Sequence, residues 1–246
     1  MSEGIEVLDA KDRKILGLLD FNARMPLSEL AREVGLSKQS VDYRLNALQR
    51  KGVISGFFPV INTPLLGYKY CRIAVQFGNL PSDARKKLLE YVHTDSPLFW
   101  AFELGGEYDY LFVYWVHSLT EFESICRAFE AQFGNYIRKK SEQLVTDVIH
   151  LSHKRFEVKP FHRFDLKETD ARVEIDSLDR KILGELTKNA RAPLTTIASS
   201  IQSYPKMGSE RVKRMEKNGL LAGYRPIIHY DKIGLTYYKV FFHLTF

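Results

Sequence analysis

The sequence predicts an α+β fold in which two copies of a helix-turn-helix module flank one ferredoxin-like βαββαβ sandwich. The first observation is a repeat: residues 9–79 recur without a gap at 176–246, with 21 identities in 71 positions at a constant offset of 167. The second is that each copy begins with apolar residues at helical spacing, interrupted by turn residues. The third is an alternation of strand-like and helix-like segments between the copies. A period this long indicates domain duplication rather than a solenoid.

Residues 1–62 form the first predicted module, a helix-turn-helix whose last segment has a winged, strand-like character. Its first helix covers 9–20 and is broken by an Asn-Ala-Arg-Met-Pro run. A short second helix, 28–34, ends at Gly35, a residue that can adopt the positive φ of a helix C-cap. Residues 53–61 are predicted to leave the module in an extended conformation.

The third helix, 38–51, is the predicted DNA reader and is capped by Ser37. In a helix-turn-helix this helix lies in the major groove, where its outer face contacts base edges. Its inward face carries Val41, Leu45 and Leu48 at i, i+4 and i+7. Gln and Asn can pair with adenine, and Lys or Arg with guanine or phosphate. The predicted DNA contacts are polar residues of this helix outside the inward face: Lys38, Gln39, Asp42, Tyr43, Arg44, Asn46 and Arg50.

Residues 67–152 are predicted to form the sandwich, because strands and helices alternate in the order βαββαβ. Helices cover one face of such a sheet, yet the strand 109–116 carries large apolar groups on both faces. An uncovered apolar face marks an association surface, so we expect a homodimer or a higher homo-oligomer. The segments in order are strand 68–77, helix 82–92, strand 98–104, turn 105–108, strand 109–116, helix 119–133 and strand 137–151.

Residues 153–175 are charged, lack an apolar period and are predicted to be a linker. The second helix-turn-helix, 176–230, follows. Gln202 stands here in the place of Gly35, and Gly208 in the place of Val41. Because these two residues depart from the pattern of the first module, we expect the second module either to bind DNA or to serve as a structural spacer. Its third helix is richer in charge than in amides, which favours phosphate contact over sequence reading. Its predicted DNA contacts are Lys206, Ser209, Arg211, Lys213, Arg214 and Lys217.

The segment 234–246 matches the first strand of the sandwich. An unpaired aromatic strand is an aggregation hazard. Either the chain is a fragment that lacks the rest of a second sandwich, which we favour, or this strand pairs with another sheet.

Charge is distributed unevenly along the chain. Of the formal net charge of +6, residues 176–246 alone account for +6, with 12 basic and 6 acidic side chains. Concentration of positive charge in one small module favours a polyanionic partner. The two cysteines have no partner spacing, and the N-terminus has no export-signal pattern. We therefore expect a cytoplasmic protein without a metal site, a cofactor or a membrane span.

Two different domains of this sequence carry a familiar set of residues in a familiar order. These residues are Leu8-Asp9, Asp12 to Leu16, Asn22 to Arg24, Leu30-Ala31, Gly35 to Ser37, Arg44-Leu45, Leu48, Lys51 to Gly56 and Gly106 to Asp109. With them the sequence resembles the leucine-responsive and asparagine-type (Lrp/AsnC) transcriptional regulators. The resemblance covers nearly all of 8–152 and begins again over 176–246.

This resemblance implies a DNA-binding regulator that dimerises through the sandwich sheet and binds a small molecule, commonly an amino acid, at interfaces near the loop after the second strand. From the residues alone, the alternative interpretation of this loop is a plain hairpin turn that binds no effector. The tandem arrangement departs from the usual single copy of each domain. The implied effector contacts are Gly105, Gly106, Glu107, Tyr108 and Asp109, with a facing contribution from Thr146 and Asp147.

Two other classes of function remain as alternatives. Siroheme decarboxylases combine similar folds, but their motif includes a His-Asn-Tyr run with a nearby Arg and His, and nothing in this sequence matches it. We therefore expect no catalytic residues. The second alternative is a module that binds protein through its helix-turn-helix units.

Overall fold

The architecture is taken from a computed structural model, which describes residues 6–94, 97–151, 153–156, 163–167, 169–236, 238 and 240–242. The chain folds into two compact units. The first unit comprises 1–61, 150–164 and 175–246, and the second comprises 62–149 and 165–174. Both predicted helix-turn-helix modules therefore lie in one unit. None of the helices in the described ranges is long and apolar enough to cross a membrane.

The first module has three helices, α1 (Ala10–Leu19), α2 (Leu27–Val34) and α3 (Lys38–Arg50). Local chemistry sets their ends. Asp9 accepts a hydrogen bond from the backbone N–H of Asp12 at the start of α1, and Ser37 accepts from that of Ser40 at the start of α3. Gly35 ends α2 at φ +69°, as its predicted role as C-cap requires. The strand β1 (Ile54–Ile61) then leaves the module.

The second unit contains the predicted βαββαβ sandwich. Its segments are β2 (Lys69–Phe77), α4 (Ser82–Thr94), β3 (Leu98–Glu103), β4 (Tyr110–Val116), α5 (Leu119–Phe133) and β5 (Ile137–Val145). The strands form one antiparallel sheet in the order β3-β4-β2-β5. The core between sheet and helices is aromatic and includes Phe112, Tyr114, Phe129 and Phe133.

The second face of this sheet is only partly exposed within a single chain. Leu111 and Val113 of β4 are buried, with relative exposures of 1% and 6%. Phe99, which stacks on Trp115 at 3.8 Å between ring centroids, and Trp100 remain substantially exposed. The homo-oligomer that we expected from this face stays a prediction, and the apolar area open to a partner is smaller than the strand pattern implied.

The prediction of one long strand over 137–151 is wrong. Val145 pairs with Tyr70, next to the first residue of β2, so beyond this point β5 has no neighbour to continue pairing. Thr146 belongs to neither strand, and the chain continues as β6 (Asp147–Leu151). This strand pairs with β7 (Arg163–Lys167), which lies inside the segment predicted as a linker. Residues 153–175 therefore contain more regular structure than the charge pattern indicated.

The second module repeats the first, with α6 (Ser177–Lys188), α7 (Leu194–Ser200), α8 (Pro205–Lys217) and the strand β8 (Leu221–Ile228). A capping box formed by Asp176 and Asp179 begins α6. Gln202 follows α7 at φ +56°, the left-handed conformation that Gly35 adopts in the first module. Of the strand expected at 234–246, residues 234–236, 238 and 240–242 are described, and they are not in a strand; the other residues lie outside the described ranges.

The two modules are joined by antiparallel pairing of β1 with β8. Arg225 of β8 belongs to a buried polar cluster. The Arg225 guanidinium contacts the Asp20 carboxylate at 2.5 Å, and their side chains are 12% and 2% exposed. The backbone N–H of His153 donates to the same carboxylate at 2.9 Å, and the His153 ring lies within hydrogen-bond distance of the Tyr230 hydroxyl. Burial lowers the pKa of His153.

Candidate nucleic-acid interface

The helix α3 has the two-sided character that a DNA-reading helix needs. Val41, Leu45 and Leu48 are buried, which confirms the predicted inward face. Tyr43 on the opposite side is 69% exposed, so most of its ring is open to contact. The other predicted contacts on this side are also exposed: Lys38, Gln39, Asp42, Asn46 and Arg50.

Contacts within α3 orient several of these side chains. The Asn46 amide donates to the Asp42 carboxylate at 3.3 Å, one helical turn away. The Arg50 guanidinium lies 5.9 Å from the centroid of the Tyr43 ring. Gln39 lies about one turn before Asp42 and Tyr43, so the face combines two amides with one aromatic ring and a cation at the end of the helix.

Arg44 lies at the side of this face and is occupied by other contacts. Its Nη1 donates to Asp9 at 2.7 Å and to Asp12 at 2.8 Å, both at the start of α1. These carboxylates raise the pKa of Arg44. The side chain therefore fixes α3 against α1, and the prediction that Arg44 contacts DNA is the least supported of those made for this helix.

The second module repeats this arrangement at the same offset. Arg211 contacts Asp176 at 2.5 Å and Asp179 at 3.3 Å, and Arg214 also pairs with Asp179, which is fully buried. The backbone N–H of Asp179 and then Arg211 lower the pKa of Asp176 to about 2. Sequence reasoning took these arginines for DNA contacts. For Arg211 the available signal was that Asp9, Asp12 and Arg44 of the first module are all identities of the repeat, whereas Arg214 stands in the place of Ala47 and carried no such signal.

The remaining charged residues of α8 are available for contact. Lys206, Lys213 and Lys217 are exposed, and no carboxylate lies within 4 Å of them among the residues that the structure covers. Ser209 is half-buried, at the edge of this lysine row. Gly208 is buried beside Ala198 and stands in the place of Val41 of the first module. The outer face of α8 therefore carries three lysines and the exposed carboxylate of Glu210, whereas the outer face of α3 is rich in amides.

A pair of arginines that sequence reasoning did not single out joins the two modules. Arg24 donates to the carbonyl oxygens of Ala190 and Ala192, the latter at 3.1 Å. Arg191, its equivalent in the repeat, donates to those of Ala23 and Met25, the latter at 3.3 Å. We call this reciprocal pair the arginine clasp. The identical Asn-Ala-Arg runs of the two copies were the available signal.

In the second unit, the loop predicted to hold an effector is an ordered turn between β3 and β4. The Asp109 carboxylate accepts from the backbone N–H of Phe77 at 2.7 Å, and Gly106 adopts φ +137°. Lys139 of β5 pairs with Glu107, and its ammonium lies 5.4 Å from the centroid of the buried Tyr108 ring. Gly105, Gly106 and Glu107 are exposed. Lys139 was missed because only the strand register brings it to the loop.

The structure does not bring Thr146 and Asp147 to this loop within one protomer. The loop enters β4 at Tyr110, which pairs with Val75, and Val75 also pairs with Lys140. Val145 is five residues further along β5, which corresponds to roughly 17 Å of strand. The two residues therefore lie at the opposite end of the sheet, and they could face an effector only from a second copy of the chain.

The fold and the exposed reading helices define a helix-turn-helix protein with an additional ferredoxin-like domain. The AsnC-type helix-turn-helix domain matches twice, at residues 8–49 and 175–216. The proline dehydrogenase transcriptional activator of Rhodobacter capsulatus is 34% identical over 125 residues, which cover 49% of this chain and 79% of that protein. The chain therefore belongs to the Lrp/AsnC family of DNA-binding transcriptional regulators, as the sequence resemblance indicated.

Two solved structures share the fold. The Neisseria meningitidis transcriptional regulator NMB0573, solved as a complex with L-Met, has a TM-score of 0.50 and 24% identity, and the match covers 56% of this chain and 90% of that one. The siroheme decarboxylase NirDL, solved with an iron-uroporphyrin III analogue, has a TM-score of 0.57 and 16% identity. That match covers 88% of this chain and 65% of NirDL.

Proposed function

We propose that the outer face of α3 enters the major groove of duplex DNA and reads bases there. The observation that carries this proposal is the exposed amide pair, Gln39 and Asn46, on a helix whose opposite face is buried in the module core. Each amide can form two hydrogen bonds with one adenine, and such a pair discriminates against a wrong base by about 1–3 kcal/mol. Lys38 and Arg50 stand at the two ends of α3, where they would meet phosphates.

Two kinds of variant test this assignment. Gln39→Ala or Asn46→Ala should relax the preference at one base pair of a duplex selected from a random library by the wild-type chain. Lys38→Ala or Arg50→Ala should weaken binding to all duplexes alike and reduce the salt dependence of the affinity. Gln132→Ala, which removes an exposed amide from α5, is the matched control. If all four variants bind like wild type, α3 is not the reader.

We propose further that a small amino acid binds at the loop formed by Gly105 to Asp109. Glu107 and Lys139 place opposite charges next to each other at an exposed turn, which suits the ammonium and carboxylate groups of an amino acid. The NMB0573 complex with L-Met supports this class of ligand on a similar fold. Calorimetric titration with a panel of amino acids tests it. Glu107→Gln should weaken binding of the ligand that is found, while Glu123→Gln on α5 should not.

We propose that the chain acts without catalysis, although the fold match to NirDL favours testing an enzyme as the second candidate. Titration with iron-uroporphyrin III, followed by absorbance, distinguishes the two. A regulator should give no saturable change in the Soret region. Saturable binding, followed by loss of a carboxyl group from the tetrapyrrole, would instead assign a decarboxylase.

A further inference from the structure

We infer that one chain of this protein reads DNA with both of its helix-turn-helix modules, 1–62 and 176–230, which we call its two heads. Because the heads present different residues, the chain binds a non-palindromic pair of half-sites in a fixed orientation. The inference rests on the proposed function, since it takes α3 and α8 as the parts that approach DNA. Its evidence is the way the two repeats pair within the first unit.

The strand pairing of the repeats has the signature of a two-fold axis. Phe57 pairs with Pro226, and Pro59 pairs with Tyr224. At the repeat offset of 167, Tyr224 is the equivalent of Phe57 and Pro226 is the equivalent of Pro59. The two pairs therefore exchange when the copies are exchanged, which is the rule for an isologous interface. Phe58 pairs with its own equivalent, Arg225, and this pair marks the axis.

Contacts outside the strands obey the same rule. The backbone N–H of Ala23 donates to the Tyr224 carbonyl, and that of Ala190 donates to the Phe57 carbonyl, both at 2.9 Å. The arginine clasp is reciprocal as well, and each guanidinium lies 5.5 Å from the ring centroid of the partner copy's aromatic residue. A two-fold pair of helix-turn-helix modules presents its reading helices to two half-sites about one helical turn apart. Here a single chain supplies both.

The residues on the axis specify that unlike copies pair. Asp20 of the first copy forms an ion pair with Arg225 of the second. The equivalent residues cannot form this pair, because the second copy has Thr187 in the place of Asp20 and the first copy has Phe58 in the place of Arg225. Pairing of two first copies would leave the buried Asp20 carboxylates without their cation. Pairing of two second copies would bring Arg225 against Arg225. An uncompensated buried charge costs several kcal/mol in general, so these alternatives are disfavoured.

The two heads present different chemistry to DNA. The face of α3 offers amides and a tyrosine, which can read base edges. The face of α8 offers Lys206, Lys213 and Lys217 with the carboxylate of Glu210 among them, and the three lysines suit phosphates of any sequence. One half-site is therefore read by sequence and the other is held by charge, and their order along the DNA follows the order of the heads.

Affinity cleavage tests this arrangement. Ser28→Cys on α2 and Thr195→Cys on α7 place thiols at equivalent exposed positions of the two heads, while the native Cys71 and Cys126 are buried. Each variant carries an iron chelate and is bound to a selected duplex of about 20 base pairs, enough for two half-sites. We expect cleavage at one end of the site from Ser28→Cys and at the other end from Thr195→Cys.

The contrary results are distinct. Equal cleavage at both ends from each probe would overturn the two-headed reader while leaving DNA binding intact. No binding of wild type to any duplex would overturn the proposed function together with the inference. As a second measurement, replacement of the three α8 lysines by Gln should lower the salt slope by about three without changing the selected sequence. A changed sequence preference would contradict the division of roles between the heads.

Discussion

Truncation of Arg191 to alanine should lower the free energy of unfolding of the first unit by about 2–3 kcal/mol. The guanidinium donates to two backbone carbonyls of the other module and lies over the Phe57 ring. Two charge-assisted hydrogen bonds at the low end of their range contribute about 3 kcal/mol, and a cation–π contact adds roughly 0.5–1. Burial and the nearby Arg24 lower the pKa of Arg191, so truncation of this side chain also removes the free-energy cost of burying one cation near another. The net loss is therefore smaller than the sum.

Urea unfolding with two probes measures this loss. Both tryptophans, Trp100 and Trp115, lie in the second unit, so their fluorescence reports that unit alone, whereas far-ultraviolet circular dichroism reports the helices of both. We expect the urea midpoint of the circular dichroism transition to fall and the midpoint of the fluorescence transition to stay unchanged. The variant Arg24→Ala should behave in the same way, because the clasp is reciprocal.

Arg32→Ala is the control for the loss of a charged side chain. Its side chain is 73% exposed and lies 3.5 Å from Glu33, so its loss should cost less than about 0.5 kcal/mol. Should Arg191→Ala cost no more than Arg32→Ala, the clasp does not hold the modules together and the reasoning fails.

Three further predictions concern stability. Gln202→Gly should stabilise the second module by about 0.5–1 kcal/mol, because relief of a left-handed φ outweighs the added freedom of the unfolded chain; a loss of stability in urea would contradict this. Gly208→Ala should add about 0.5–1 kcal/mol through helix propensity, since the new Cβ meets the Ala198 Cβ at 3.4 Å, and a lower urea midpoint would show that the contact is too tight. Burial lowers the pKa of His150 and His153, so the unfolded chain takes up their protons first, and stability present above about pH 6.5 should be lost as the pH falls. His153→Gln should flatten that slope, and an unchanged slope would exclude His153 as its source.

The helices could be predicted from the sequence because their signals are local. The Ser37 cap, the Gly35 C-cap and the spacing of Val41 and Leu45 lie within one or two turns of the backbone they determine. The order of the sandwich elements followed for the same reason. The end of β5 could not be predicted, because a strand stops where its neighbour stops, and the register with Tyr70 depends on residues far away in the chain.

In the candidate site, too, the features set by local sequence could be predicted and those set by distant residues could not. That α3 is exposed on one side and buried on the other follows from helical spacing, and the structure has it so. The occupation of Arg44 by Asp9 and Asp12 depends on how α3 packs against α1, which residue type alone does not give. Arg24 was visible as a repeated residue, but the carbonyls it binds belong to the other copy.

In the two-headed reader inferred above, the pairing of β1 with β8 inside one polypeptide changes how occupancy of a target depends on protein concentration. A reader assembled from two separate polypeptides must first associate, so at low concentration its bound fraction rises with the square of concentration. If the two modules of one chain bind the site together, no association step precedes binding, and occupancy rises in proportion to concentration. Each module can then also acquire mutations that the other does not share.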